Sequence, residues 1–358
     1  MLSLGSDNHS GVHPLVWQAM AQSNSGHAPS YGTDELTAKA LDEFKKQFGE
    51  SVETFFVFNG TAANVLCLRA LVESFEAVIC ADTAHLHLDE CAAPENAIGC
   101  KILTLPSENH NGKITADQIE ALLIRKGDQH FAQPRLVSIT QCSEYGTCYT
   151  LNELRQLRAF TREHNLLFHI DGARLVQAAN YLNCSLRDLT SDLGVDAVSF
   201  GGTKNGLLYG EAVLLFKNTA TEKAIQNLKF LRKQYMQLPS KMRFLSAQFL
   251  AFFENELWRV VAHETHQLAM YLESRLSTVS DVKITQPVQA NSVFARIPKS
   301  WVRELREHVF FYVWDESPGL STFEVRLMIS FDVTRADIDY FMDRLDHVRA
   351  KTPAGAPQ

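Results

Sequence analysis

The sequence contains no CxxC pair; its seven cysteines stand at 67, 80, 91, 100, 142, 148 and 184, an odd set without regular spacing. That is not a disulfide framework, and it fits a reducing compartment. No apolar run approaches the roughly 18 residues of a membrane span, and the opening MLSLGSDNHSGVHP lacks a basic segment followed by an apolar one. A cytoplasmic location with no membrane partner is the expectation. Basic charge is also short: 34 Lys and Arg against 41 Asp and Glu leave a net charge of −7, the wrong sign for tracking a phosphate backbone, so no nucleic acid is expected. Neither GxGxxG nor GxxxxGK[ST] occurs, which argues against the commonest nucleotide sites. The thirteen histidines show no ligand spacing with cysteines or carboxylates, so no catalytic metal is expected.

What is present is apolar material enough for a large core: 46% of 358 residues, a length that suggests about two domains. Short runs rich in Val, Ile and Phe alternate with segments of helical period, the pattern of an α/β protein with a mostly parallel, buried sheet. Seven strands are predicted, over 54–58, 77–81, 101–105, 135–140, 166–170, 196–200 and 211–216. Thr150 and Glu153 form a capping-box signature ahead of Leu151, Leu154, Leu157 and Phe160, which predicts a helix covering that sheet. Long helices are predicted over 220–234 and 240–277, the second after Pro239. A smaller α+β unit follows, with strands over 292–297, 310–314 and 325–331 and helices over 299–308 and 334–348. The divisions expected are an N-terminal segment 1–15, a large domain 16–250, a small C-terminal domain 251–350 and a loose tail 351–358.

Ligands of parallel sheets gather at the carboxyl ends of the strands, so polar residues just beyond the apolar runs are the ones to inspect. Four such exits stand out: FNGTAAN (58–64), ADTAH (81–85), HIDGAR (169–174) and SFGGTKNG (199–206). In the first, Gly60 and Thr61 open a helix whose free N–H groups suit a phosphate, although an Asn-Gly turn is also how an ordinary helix begins. In the third, Asp171 leaves the core as a carboxylate that needs a cationic partner; an N-cap or an ion pair with Arg174 would equally satisfy it. In the fourth, Lys204 lies between glycine pairs, where an amine can do covalent work or be a solvated charge. Taken together, a phosphate turn, an acid for a pyridinium nitrogen and a lysine for a Schiff base are the contacts that pyridoxal 5'-phosphate requires. The 33-residue separation of Asp171 and Lys204 leaves room for a helix and a strand between them.

The sequence resembles the low-specificity L-threonine aldolases and phenylserine aldolases of the aromatic amino acid beta-eliminating lyase/threonine aldolase family, within fold type I of the pyridoxal-phosphate enzymes. The likeness rests on SDN (6–8), SYGTDELT (30–37), NGTAAN (59–64), His85 through DECAAPE (89–95), HIDGAR (169–174), SFGGTKNG (199–206), SKMRFLSAQ (240–248) and VRLMISF (325–331), and runs over nearly the whole chain. It implies that Lys204 holds the cofactor as a Schiff base, that Asp171 pairs with the ring nitrogen and that His85 stacks on the ring. It implies further that Gly60 and Thr61 hold the phosphate with Arg243 of a neighbouring subunit, so that a homo-oligomer, a dimer or a homotetramer, shares its active sites. Ser6, Arg174 and Arg326 match positions for the substrate carboxylate, and Tyr31 borders the substrate across the interface.

The reaction so implied cleaves the Cα–Cβ bond of L-threonine, L-allo-threonine or a related β-hydroxy-α-amino acid such as phenylserine, giving glycine and an aldehyde. Many family members carry a histidine where this chain has Glu144, so the group that takes the β-hydroxyl proton is left open among Glu144, His87, His85 and a bound water, with Glu90 read as structural. Two other readings stand beside it: β-elimination from serine, cysteine or an aromatic amino acid with the same cofactor, and a non-catalytic nucleotide-binding α/β protein in which Lys204 is incidental.

Overall fold

Apolar runs too short for helices and too buried for alternation become the inner strands of a sheet. The computed structural model describes residues 1–107, 110–316 and 318–351; the expected tail therefore lies, apart from Lys351, outside the described residues. After a two-residue strand β1 (Leu2–Ser3) come β2 (Val52–Val57), β3 (Glu76–Ala81), β4 (Lys101–Leu105), β5 (Gln133–Thr140), β6 (Leu167–Gly172), β7 (Ala197–Gly201) and β8 (Glu211–Phe216). The last seven form one sheet in the order β2-β8-β7-β6-β5-β3-β4. Only β8 is reversed, antiparallel to both β2 and β7. As a result the carboxyl ends of β2, β3, β5, β6 and β7 meet the amino end of β8 at a single edge. Each of the seven predicted strands is present, two of them with the predicted bounds and none with an end displaced by more than two residues.

The helices are placed by caps and apolar spacing. Glu35–Phe48 starts where Asp34 accepts the Thr37 N–H at 2.9 Å, buries Ala40, Phe44 and Phe48 at intervals of four, and stops at Gly49, whose φ of +93° ends the helix without steric cost. Leu151–Glu163 has both halves of the anticipated capping box: Thr150 N–H donates to Glu153 at 2.6 Å and Glu153 N–H to the Thr150 hydroxyl at 3.2 Å. Phe44 is the hub of an aromatic cluster with Phe48, Phe56, Phe200, Phe249 and Phe253; its ring centre lies 5.0 Å from Phe253 and 5.2 Å from Phe249, both edge-on. The cluster anchors β7 through Phe200, four residues before Lys204.

The helix anticipated over 240–277 is two helices, Met242–Phe253 and Leu257–Leu276. Asn255 and Glu256 take left-handed conformations between them, with φ of 51° and 53°. No Gly or Pro marks the break, and apolar spacing continues on both sides because each half buries its own stripe. The second half serves two cores: Leu257, Trp258, Val261 and Ala262 join the core of the large sheet, whereas Ala269, Leu272 and Leu276 join a second one.

That second core lies under a four-stranded antiparallel sheet in the order β12-β13-β10-β9, built from β9 (Lys283–Ile284), β10 (Ser292–Pro298), β12 (Tyr312–Asp315) and β13 (Thr322–Met328). The strand anticipated over 310–314 divides because its halves have different partners. β11 (Val309–Phe310) pairs in parallel with β1, while β12 pairs with β13, and Phe311 between them is fully buried. Among the described residues no helix is long and apolar enough to cross a membrane. Phe44→Ala should cost about 3–5 kcal/mol, measurable as a fall in denaturation midpoint, because its five aromatic neighbours cannot all close on the space left.

Candidate active site

A cavity of about 550 Å³ opens at the edge where the strand ends converge. Gly60 and Thr61 after β2, His85 and Glu90 after β3, Glu144 after β5, Asp171 and Arg174 after β6 and Lys204 after β7 line it together. Residues up to 144 positions apart in sequence thus meet because β2, β3, β5, β6 and β7 run in one direction.

Asp171 is buried and satisfied from two sides. Its Oδ1 accepts the Ala173 N–H at 3.1 Å and its Oδ2 accepts Asn64 Nδ2 at 2.8 Å. The Asn64 amide also donates to Glu90 Oε1 at 2.8 Å, and that oxygen lies 3.0 Å from His85 Nδ1. The hydrogen bond to Glu90 holds His85 above its usual pKa, while burial raises that of Glu90. Glu90, read from the sequence as structural, is one wall of the cavity and the support of His85.

Lys204 sits in a single turn of 3₁₀ helix, Thr203–Asn205, closed by Gly206. Burial pulls its amine below the usual lysine value, and the neighbouring Arg174 guanidinium acts in the same direction. Gly201 and Gly202 precede it because a Cβ on either would strike backbone, the Ala173 and Gly210 carbonyls respectively. The turn is tied to β8 by Glu211, whose Oε2 accepts the Gly202 N–H at 2.5 Å. Burial pushes the Glu211 carboxyl up to about 7.

Glu144 lines the same cavity. Its Oε1 accepts the His85 N–H at 2.9 Å and the Thr140 hydroxyl at 2.8 Å. Its Oε2 is buried with no hydrogen-bond partner among the described residues, and burial raises the carboxyl to about 7. At the helix Gly60–Leu71, Asn59 caps the Ala62 N–H at 2.9 Å, while the first-turn N–H groups of Gly60 and Thr61 have no intrahelical partners. The space where a Gly60 Cβ would stand is open.

The ion pair considered between Asp171 and Arg174 is not formed. Arg174 instead grips Asp7 with Nε at 2.8 Å and Nη2 at 2.7 Å, and Asp7 also accepts Asn291 Nδ2 at 2.8 Å. Arg326 does not line the cavity; it lies over Trp314 and Tyr312, 4.6 and 5.6 Å from their ring centres, and donates to the Gly5 carbonyl at 3.1 Å. Burial lowers its pKa to about 10, and the Arg174 charge contributes. Ser6 caps the short turn Asp7–His9 by accepting the Asn8 N–H at 3.2 Å. His87 is exposed on the turn His85–Leu88, Tyr31 is exposed beside Lys233, and Arg243 donates to the Ser25 and Gly26 carbonyls. None of these four reaches the cavity within one chain.

Asn64, Ser199 and Glu211 were not singled out from the sequence. A serine inside the buried run AVSFG and a glutamate opening the wholly buried β8 were the available signals, since polar groups in such strands need partners. Asn64 had a weaker one, one helical turn beyond the Gly60 that opens the helix. Among the described residues no three His, Cys, Asp or Glu side chains gather as a metal site.

Residues 3–300 match the family model described as beta-eliminating lyase. The chain belongs to the beta-eliminating lyase family. It is 41% identical to the low-specificity L-threonine aldolase of Pseudomonas sp. (strain NCIMB 10558), covering 93% of this chain and 94% of that protein. Against the protein of the same name from Pseudomonas aeruginosa the identity is 40%, over 91% and 92% of the two chains. The solved structure of a Leishmania major threonine aldolase superposes with a TM-score of 0.90 at 26% identity, covering 97% of this chain and 99% of that one. The fold is that of the type I pyridoxal-phosphate enzymes, and pyridoxal phosphate is the cofactor of this family. The cavity fits that group: a helix start with open space at Gly60, a carboxylate in Asp171, and a buried amine in Lys204.

The raised Glu211 carboxyl has a consequence for stability. Between the usual carboxyl value of 4.5 and about 7 the folded protein holds a proton that the unfolded chain releases, so stability falls as pH rises through that window. Relative to wild type, cofactor-free Glu211→Gln should therefore gain in thermal midpoint on going from about pH 5 to about pH 8. An unchanged difference between the two proteins would contradict the assignment.

Proposed function

We propose that this protein is a pyridoxal-phosphate-dependent aldolase that cleaves L-threonine, L-allo-threonine or related β-hydroxy-α-amino acids such as phenylserine to glycine and an aldehyde. One observation carries the reading: Lys204 and Asp171 line one cavity in a chain 41% identical, over 93% of its length, to a low-specificity L-threonine aldolase. In this reading Lys204 holds the cofactor through its amine, Asp171 holds the ring nitrogen, His85 covers the ring, and Gly60 and Thr61 take the phosphate. The bound cofactor supplies an electron sink for the pair released at Cα.

The rest of the chemistry belongs to the chain's own residues. Arg174 uses Nε and Nη2 on Asp7, which leaves its Nη1 edge for a substrate carboxylate. The family resemblance assigns Arg326 and Ser6 to the same carboxylate as well, although neither lines the cavity within this chain. Fixing that carboxylate orients the Cα–Cβ bond, and a proton must leave the β-hydroxyl as the bond breaks. Glu144 is the acceptor favoured here over His85, His87 or water, because Oε2 is unpartnered and a carboxyl near 7 both accepts and returns a proton at neutral pH.

Arg243 and Tyr31 are assigned to the site of a neighbouring subunit, in a homodimer or homotetramer working in the cytoplasm. That neither lines the cavity of its own chain supports this, as does the exposure of Leu15, Trp17, Tyr31 and Met236. The test is direct. Purified protein should be yellow, release glycine from L-threonine, and carry cofactor on the Lys204 peptide after borohydride reduction and digestion. Lys204→Ala should lose turnover by at least about a thousandfold; equal turnover in that variant would end the assignment, and pyruvate from serine without aldehyde from threonine would favour β-elimination.

A further inference from the structure

Four side chains form one continuous hydrogen-bonded chain beneath the cavity: His85, Glu90, Asn64 and Asp171, with Ser199 attached at the middle. Ser199 Oγ lies 2.5 Å from Asn64 Oδ1, and Asn64 Nδ2 lies 2.8 Å from both Glu90 Oε1 and Asp171 Oδ2. All but His85 are buried. A carboxamide has one accepting end and one donating end, so its orientation is decided by its neighbours. Here two carboxyl oxygens face one end and a hydroxyl faces the other. The reverse orientation would set the amide oxygen against both carboxyls and leave each unsatisfied unless protonated there.

With the amide so oriented, both contacted oxygens act as acceptors. Glu90 Oε1 already receives an Asn64 N–H, and His85 Nδ1 lies 3.0 Å from that same oxygen. A proton on Oε1 would let that oxygen donate while still accepting, but the Asn64 N–H bond favours the ionised carboxylate, which can only accept. Toward an ionised Glu90, Nδ1 is the donor. In the neutral ring Nε2 is then left bare, as the ring's accepting atom. The raised pKa of His85 agrees, since the ring gives a proton to Glu90 and also lies in the field of Asp171 and Lys204, the latter opposing.

We propose that Asn64 is a positioning residue whose carboxamide ties Asp171 to the Glu90–His85 pair, holds both carboxyls as acceptors and so fixes the proton of neutral His85 on Nδ1. The proposal rests on the aldolase reading for its use, because Asp171 and His85 are the two groups assigned to the cofactor ring. Its physical content is independent of turnover. Asn64 makes one state of the ring-binding acid and one tautomer of the ring-covering imidazole a single condition.

The test reads the tautomer itself. In holoenzyme labelled with ¹⁵N-histidine, the His85 resonances, assigned by their loss in His85→Asn, should show the proton on Nδ1 when the ring is neutral at high pH. Asn64→Leu should lose that preference and raise the cofactor dissociation constant about tenfold or more. Ser199→Ala, a smaller change that keeps the fold if Asn64→Leu does not, should shift both in the same direction by less. A neutral wild-type ring protonated on Nε2 would overturn the proposal, as would a Ser199→Ala protein in which both the His85 resonances and cofactor affinity are unchanged. Absence of glycine release would sink the aldolase reading and leave these measurements standing.

Discussion

Carboxyl groups taken out of water at the end of a parallel sheet must be satisfied by the protein itself, and the construction of this site follows from that demand. Asp171 and Glu90 share the amide of Asn64; Glu211 takes a backbone N–H of the turn that carries Lys204; Glu144 takes the backbone N–H of His85. In each case the acid that must be paired also fixes the position of a group at the mouth of the cavity. Satisfying buried charge and arranging chemistry are accomplished by the same bonds.

The reversed strand β8 gives this arrangement its depth. An all-parallel sheet would bring only strand exits to the site, whereas β8 brings a strand entrance, so that Glu211 stands beside the Lys204 turn from the far side. Behind it, Phe200 is locked among Phe44, Phe48, Phe249 and Phe253, which fixes the strand that feeds the turn. The catalytic edge is therefore only as well placed as the aromatic cluster on the other side of the strand allows.

Most of the fold was legible in the sequence because buried strands and capped helices are local signals. The seven strands of the large sheet announced themselves as apolar runs, and the Thr150–Glu153 box announced its helix. The break at Asn255 was not legible, since nothing there forbids a helix; it forms because two cores must be served by one stretch of chain. Among the site residues, Lys204, Asp171, His85, Gly60 and Thr61 stood at strand exits, where topology makes position informative. Asn64 and Ser199 lay inside elements, and their importance depends on partners 107 and 135 residues away, which no spacing rule reveals. Asp7 was passed over for the same reason: its partners are Arg174 and Asn291.

The opening residues have an unusual debt to the far end of the chain. Leu2 and Ser3 pair with Val309 and Phe310, Leu4 accepts the Met328 N–H, and Asp7 spans Arg174 and Asn291. Made before their partners, Leu2, Ser3 and Leu4 have no strand to join until more than 300 residues have followed them out. The nascent large sheet can assemble meanwhile, yet Asp7 stays without Asn291. Full anchoring of Asp7, and with it of Arg174 at the pocket, is thus a late event in biogenesis, reached only once Asn291 at the head of β10 has emerged.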